Sequence, residues 1–235
     1  MTFSMRRLSA ILRKEMQDLK SNAQIFLMAA VPIILSLFYK NAGAETVFLS
    51  VIVIAMVWCM VTPIIQATLI AEEKEKHTLR VVMLSPASPL EVMLGKALPT
   101  IVLSYLLSIG SLWILGTLQG DPVLLSSVIL LGIVFATIIG TMIGLLAKNM
   151  VQVSVIGTPF SLLLLAGPIL KHTVDNEFVK DVLSYLPTDH FGLALFSVLE
   201  GKGFSAIDMN LLNISIWMII TFIICLVIYK KKQLD

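Results

Sequence analysis

Residues 123–146 read VLLSSVILLGIVFATIIGTMIGLL, with Asp121 and Pro122 before them and Lys148 two positions beyond. No charged side chain interrupts the run. A helix rises about 1.5 Å per residue, so roughly 20 apolar residues cross the ~30 Å hydrocarbon core of a bilayer. The same reading extends to residues 46–71, 97–120, 149–170 and 211–229, each free of charge, and to a shorter run at 23–39 that carries Pro32. Backbone polar groups in hydrocarbon must find partners within their own segment, so each run is expected to be helical. The expected fold is an all-α polytopic membrane protein with six transmembrane helices, at 23–39, 46–71, 97–118, 123–146, 153–170 and 211–229. Composition agrees. The chain is 57% hydrophobic and 14% charged, against roughly 45–50% and about 25% in soluble domains.

Sidedness follows from Lys and Arg. With six spans, thirteen of the seventeen basic residues fall on one side: the N-terminal segment, the second-to-third connection, Lys148 and the C-terminal lysines. Lys40, Lys171, Lys180 and Lys202 fall on the other. Both termini are therefore expected in the cytoplasm of a multi-pass protein of the cell membrane. A net charge of +2 offers no basic field for nucleic acid. Cys59 and Cys225 lie inside predicted spans, without a disulfide framework or a CxxC metal signature. The first apolar run follows a charged amphipathic stretch, unlike a cleaved signal peptide.

That stretch is expected to form an elbow helix lying on the membrane, within residues 1–22. Met5, Leu8, Ile11, Leu12, Met16 and Leu19 share a face at helical spacing, and Arg6, Arg7, Arg13, Lys14 and Lys20 form the polar side. It either anchors the topology or also meets a cytoplasmic partner. Residues 23–235 make one six-span transmembrane domain. Within it, a cytoplasmic connection at 72–96 opens with Glu72, Glu73, Lys74, Glu75, Lys76 and His77, then gives a small apolar face (Leu79, Val82, Met83). Ser85-Pro86 breaks the helix. Ser88, Pro89 and Glu91 restart it as a capping box. Two helices meeting at a stiff turn suit a docking element. The outer connection, 171–210, is expected to hold a helical pair broken at Pro187. Thr188 is read as the second helix's cap, Asp189 lies in its first turn and Gly201 closes it. Nine apolar residues from Phe191 are too few to cross a bilayer, so the pair is expected to be re-entrant or interfacial.

Inside the membrane, Gly132, Ala136, Gly140 and Gly144 form a small-residue ridge for close helix packing. Thr62, Pro63, Gln66 and Thr68 in the second span, and Gly157, Thr158, Pro159 and Phe160 in the fifth, either line a path or make buried interhelical contacts. No ionisable group sits within the well-defined spans, which argues against an ion- or proton-driven transporter or a channel. Asp189 with His190, or His172 with Asp175, would be the acid–base groups of a membrane enzyme, but Asp-His pairs are ordinary at helix starts. No GxxxxGK[ST] loop is present, so any pumping draws on ATP bound elsewhere.

The stretch from Ala71 through Glu72-Glu73-Lys74-Glu75-Lys76-His77-Thr78-Leu79-Arg80, the Ser85-Pro86 turn and Gly95-Lys96 resembles the signature of type-2 ABC exporter permeases: an acidic pair, a charged stretch, Gly-Thr, a hydrophobic run, a Ser/Thr-Pro turn, and a helix ending Gly-Lys. His77 stands where that family has glycine. Leu186-Pro187-Thr188 and the helix to Gly201 are similar to its outer helices. The resemblance covers the six-span layout. It implies a permease subunit that binds no cofactor itself, paired with a second permease as homodimer or with a paralogue. Two cytosolic ABC ATPase subunits would carry ATP and magnesium. Glu72, Glu73, Lys74, Glu75, Lys76, Thr78, Leu79 and Arg80 would meet the ATPase, and Leu84, Ser85 and Pro86 would form the turn. The second and fifth spans would face each other across the dimer, with Thr62, Gln66, Thr158 and Phe160 on the pathway. A charge-free path suits amphipathic or hydrophobic cargo, an antimicrobial or cytolytic peptide or an antibiotic, leaving the cell of a bacterium. Lipid or polysaccharide export is the alternative.

Overall fold

The computed structural model describes residues 4–42, 46–76 and 89–233. Among them the secondary structure is helical throughout: α1 (Met5–Ser21), α2 (Ala23–Ala42), α3 (Thr46–Met56), α4 (Thr62–Glu75), α5 (Pro89–Leu115), α6 (Pro122–Leu146), α7 (Met150–Thr173), α8 (Glu177–Ser184), α9 (Pro187–Leu199) and α10 (Asp208–Gln233). Six helices are long and apolar enough to cross a membrane, as expected: Ala23–Ala42, Val47–Glu75, Glu91–Leu115, Pro122–Leu146, Met150–Gly167 and Asp208–Lys231.

The second span is one rod built from α3 and α4 around a widened turn at Val57–Val61. There Thr62 donates its backbone N–H to the Val57 carbonyl, five residues back, and its hydroxyl donates to the same oxygen at 2.9 Å. Pro63 follows at once. Proline has no N–H and its ring crowds the carbonyl one turn earlier, so an extra residue in the turn lets the rod continue past it.

This rod is the core of the bundle. From Thr62 to Ala71 every residue is buried, and α4 packs most closely on α6. The small-residue ridge of α6 makes that possible. A methyl on Gly140 would lie 2.5 Å from the Pro63 carbonyl oxygen, and one on Gly144 2.8 Å from Ile70 Cβ. Higher in the bundle, the Trp58 ring stacks on Phe191 at 4.5 Å between centroids and on Phe135 at 5.6 Å. Its indole N–H donates to the Gly132 carbonyl. Thus α9 is inserted into the bundle. It buries Phe191, Ala194, Leu195 and Val198 and contacts α3, α6, α7 and α10.

The helical pair α8–α9 bends by 68° at its break. One expectation about it is corrected. Thr188 does not cap α9: Pro187 takes the first helical position and Leu186 is the N-cap, while Thr188 lies buried inside the first turn. Proline is pre-set for that first position, which moves the helix start two residues toward the N-terminus. Gly201 closes α9 at φ 78°, with Lys202 N–H donating to the Ser197 carbonyl at 3.0 Å, the left-handed closure that favours glycine. Lys171 pairs with Asp189 at 2.7 Å, and Trp217 donates to the Tyr185 carbonyl at 2.9 Å. These contacts hold the corner between α7 and α10.

Candidate coupling site at the C-terminal end of the second span

Helix α1 lies against α5 and is joined to α2 by a single residue. Asn22 is that joint. Its side-chain oxygen accepts from Gln24 N at 3.0 Å and Ile25 N at 3.3 Å, capping α2. The stripe of α1 facing the bundle runs Leu8, Glu15, Leu19, with Ile11 and Leu12 half-buried beside it. Met5 and Met16, placed on the apolar face by the sequence pattern, are exposed. Gly95 of α5 lets the elbow approach, because a methyl there would stand 3.0 Å from Ile11 Cβ.

Glu15 is the unexpected member of this stripe, only 1% exposed. Burying a lone carboxylate is costly, and such charges persist only when paired. Its partner is Lys96 of α5, at 2.8 Å and itself 5% exposed. Lys96 also reaches Glu73 at the end of α4. Lys14 joins from the elbow, pairing with Glu73, with Glu15 at 3.2 Å and with Asp18 at 2.8 Å. Arg7, expected on the polar side of the elbow together with Lys14, turns to the fully buried Glu91 at 2.9 Å. Glu91 also accepts the Ser4 backbone N–H. Its predicted capping partner, Ser88, lies outside the described residues.

The rest of the charge run is used in the same way. Glu72 accepts from Asn22 at 2.8 Å and from Lys76 at 2.6 Å. This hydrogen-bonded carboxylate raises the Lys76 ammonium above its ordinary pKa. Lys74 donates to the Leu145 carbonyl and, at 2.8 Å, to the Ala147 carbonyl, neutralising the negative end of α6. Glu75 accepts the Met150 backbone N–H at 3.2 Å, at the positive start of α7. Four consecutive side chains therefore tie the C-terminal end of the second span to the elbow and to the first, third, fourth and fifth spans.

Glu15, Asp18 and Glu73 bring ligand atoms within 4.8 Å of one another, a spacing that would suit a cation. Lys14 and Lys96 already neutralise them there. The remaining predicted coupling residues, Thr78, Leu79, Arg80, Leu84, Ser85 and Pro86, lie outside the described residues.

The predicted pathway residues do not meet in this chain. Thr62 is buried, and its hydroxyl oxygen lies in hydrogen-bond contact with that of Ser104 at 2.9 Å. Gln66 accepts from Thr100 at 2.7 Å and donates to Thr141 at 3.2 Å. Within the subunit these are interhelical contacts, each worth about 0.6 kcal/mol on average in a membrane. Thr158 is half-buried and Phe160 exposed, both on α7. Sequence reasoning missed Glu15, Asn22 and Lys96 as parts of the site. Glu15 had left a signal: it falls on the apolar spacing of Leu8, Ile11, Leu12 and Leu19.

The family model described as ABC-2 family transporter protein matches residues 4–229 of the chain. No curated protein matches.

Proposed function

Since the chain belongs to the ABC-2 family of transporter proteins, we propose that it drives export of an amphipathic or hydrophobic cargo, such as an antimicrobial or cytolytic peptide or an antibiotic. Membership makes it an ABC permease, the membrane subunit and not the catalytic one. The energy then comes from ATP and magnesium on cytosolic ATPase subunits, one for each half of a permease dimer in a bacterial membrane. Both termini face the cytoplasm in this reading, as the distribution of basic residues favours.

One observation carries the reading. The 72–75 charge run is fastened to five other helices, so a push from a docked ATPase at this end is passed to the whole bundle. Among the described residues Glu75 and Lys76 are the members of the run left exposed for an ATPase, with Glu72 half-buried beside them. Glu73 acts behind them, holding the elbow and the third span to the same rod.

The test pairs two measurements. A strain lacking the gene is grown against a panel of cytolytic peptides and hydrophobic antibiotics, and hypersensitivity to one of them, restored by the intact gene, is expected. ATP hydrolysis by the reconstituted complex should rise with that same compound. Equal sensitivity across the panel removes the cargo assignment.

A further inference from the structure

A cleft of about 410 Å³ opens on the inner half of the bundle, between α4, α5, α6 and α10. It exists because α5 and α10 both pack on α6 but hardly on each other. Its walls are hydrocarbon: Ile70, Met93, Ile101, Ile138, Ile219 and Phe222 among them. Polar side chains also border it, and their hydrogen bonds are made within the protein. Gln66 is held by Thr100 and Thr141, Thr137 donates to the Ile133 carbonyl at 2.7 Å, and Lys96 is held by Glu15. Below the rim a peptide backbone or a sugar would meet polar groups already engaged with one another, and an unpaired polar group in such a place is costly. An alkyl chain loses nothing.

The dimensions point the same way. On α10 the lining runs from Met218 to Tyr229, a helical rise of about 16 Å. One leaflet of the hydrocarbon core is about 15 Å deep. The cleft thus spans a single leaflet, on the side of the charge cluster, and is open laterally: Ile219 is 57% exposed and Phe222 41%. At its rim the Tyr229 hydroxyl makes no hydrogen bond among the described residues. Lys230 and Lys231, both exposed and without an ion pair there, follow it on α10.

We propose that this cleft binds one acyl chain of an anionic phospholipid from the adjoining leaflet, with its phosphate at the rim beside Tyr229, drawn there by the positive field of Lys230 and Lys231. In the orientation proposed above that leaflet is the cytoplasmic one. The site itself stands independently of the cargo.

The probe is phosphatidylglycerol with a diazirine in its acyl chain, at low mole fraction in phosphatidylcholine nanodiscs holding the full chain. Irradiation should place crosslinks on Met93 and Phe222 in preference to the exposed faces of α2 and α7. Ala97→Trp fills the cleft from α5 and Ile219→Trp from α10. Either should lower crosslinking there about tenfold, the equivalent of roughly 1.4 kcal/mol, while Leu163→Trp on α7 should not. Lys230→Glu with Lys231→Glu should abolish the preference for phosphatidylglycerol over a phosphatidylcholine probe. Crosslinks spread evenly over all exposed spans, or unchanged in both filled variants, overturn the proposal. Displacement of the probe by a transported peptide would make the cleft a cargo site and overturn it equally.

Discussion

Glu73→Gln separates the buried part of the charge run from its solvent-facing part. The substitution keeps the side chain's size and removes its charge. Lys96, 5% exposed, is then left with Glu15 alone, and Lys14 with Glu15 and Asp18. Removing one partner of a buried pair costs about 3–5 kcal/mol. The surviving Glu15–Lys96 contact at 2.8 Å offsets part of this, bringing the expected loss to roughly 2–3 kcal/mol. For a chain of this size that lowers the unfolding midpoint by about 4–12 °C. Glu72→Gln is the matched control. Its partner Lys76 is 61% exposed and Glu72 itself 12%; a glutamine there still accepts from Asn22, so the expected loss is about 1 kcal/mol, the upper end for exposed pairs. The assay suits the molecule, because Cys59 and Cys225 are both buried and free. A thiol-reactive fluorophore therefore reports unfolding in detergent. Pairing Glu73→Gln with Lys96→Met should cost less than the two losses added, by about 1–3 kcal/mol. A Glu73→Gln protein that melts no lower than Glu72→Gln would refute the buried network.

Three further outcomes follow from the packing. Gly140→Ala, whose methyl meets the Pro63 carbonyl oxygen at 2.5 Å, should destabilise the protein by about 1–3 kcal/mol. By contrast Gly157→Ala, whose nearest neighbour would be 3.6 Å away, should be neutral or gain up to about 1 kcal/mol. The same thermal assay compares them. Gly95→Leu should push Ile11 off α5, and limited trypsin digestion should then cut faster at the exposed Arg13 of the elbow. Phe191→Ala removes the ring stacked on Trp58 and should cost about 3–5 kcal/mol, read as a lower unfolding midpoint.

Much of the architecture was legible because it is written in one dimension. Charge-free runs mark the spans wherever a bilayer is the solvent, and the small-residue ridge on α6 announces close packing without naming its partner. Partners were the part that local pattern left open. Nothing near Lys74 in the sequence points to the Leu145 and Ala147 carbonyls, 71 and 73 positions away. Nor does anything near Trp58 point to Phe191. The charge run shows the limit most clearly. Its density suggested a surface for another protein, but Glu73 turns inward to two lysines, Lys14 and Lys96, that arrive from other helices. Glu15 was readable in principle, as an acid in an apolar stripe on a basic helix. The cap of α9 turned on a competition between Pro187 and Thr188, which proline wins by fixing its own backbone angle.

The most direct test of the permease assignment is ATP hydrolysis measured on the affinity-purified chain, co-expressed with an ABC ATPase subunit from the same cell and placed in nanodiscs. The expected result is a stable complex with magnesium-dependent hydrolysis that rises with cargo and loses that response in a Glu72→Lys, Lys76→Glu double variant. A chain that purifies without the ATPase, or a complex whose hydrolysis ignores both cargo and that double variant, would contradict it.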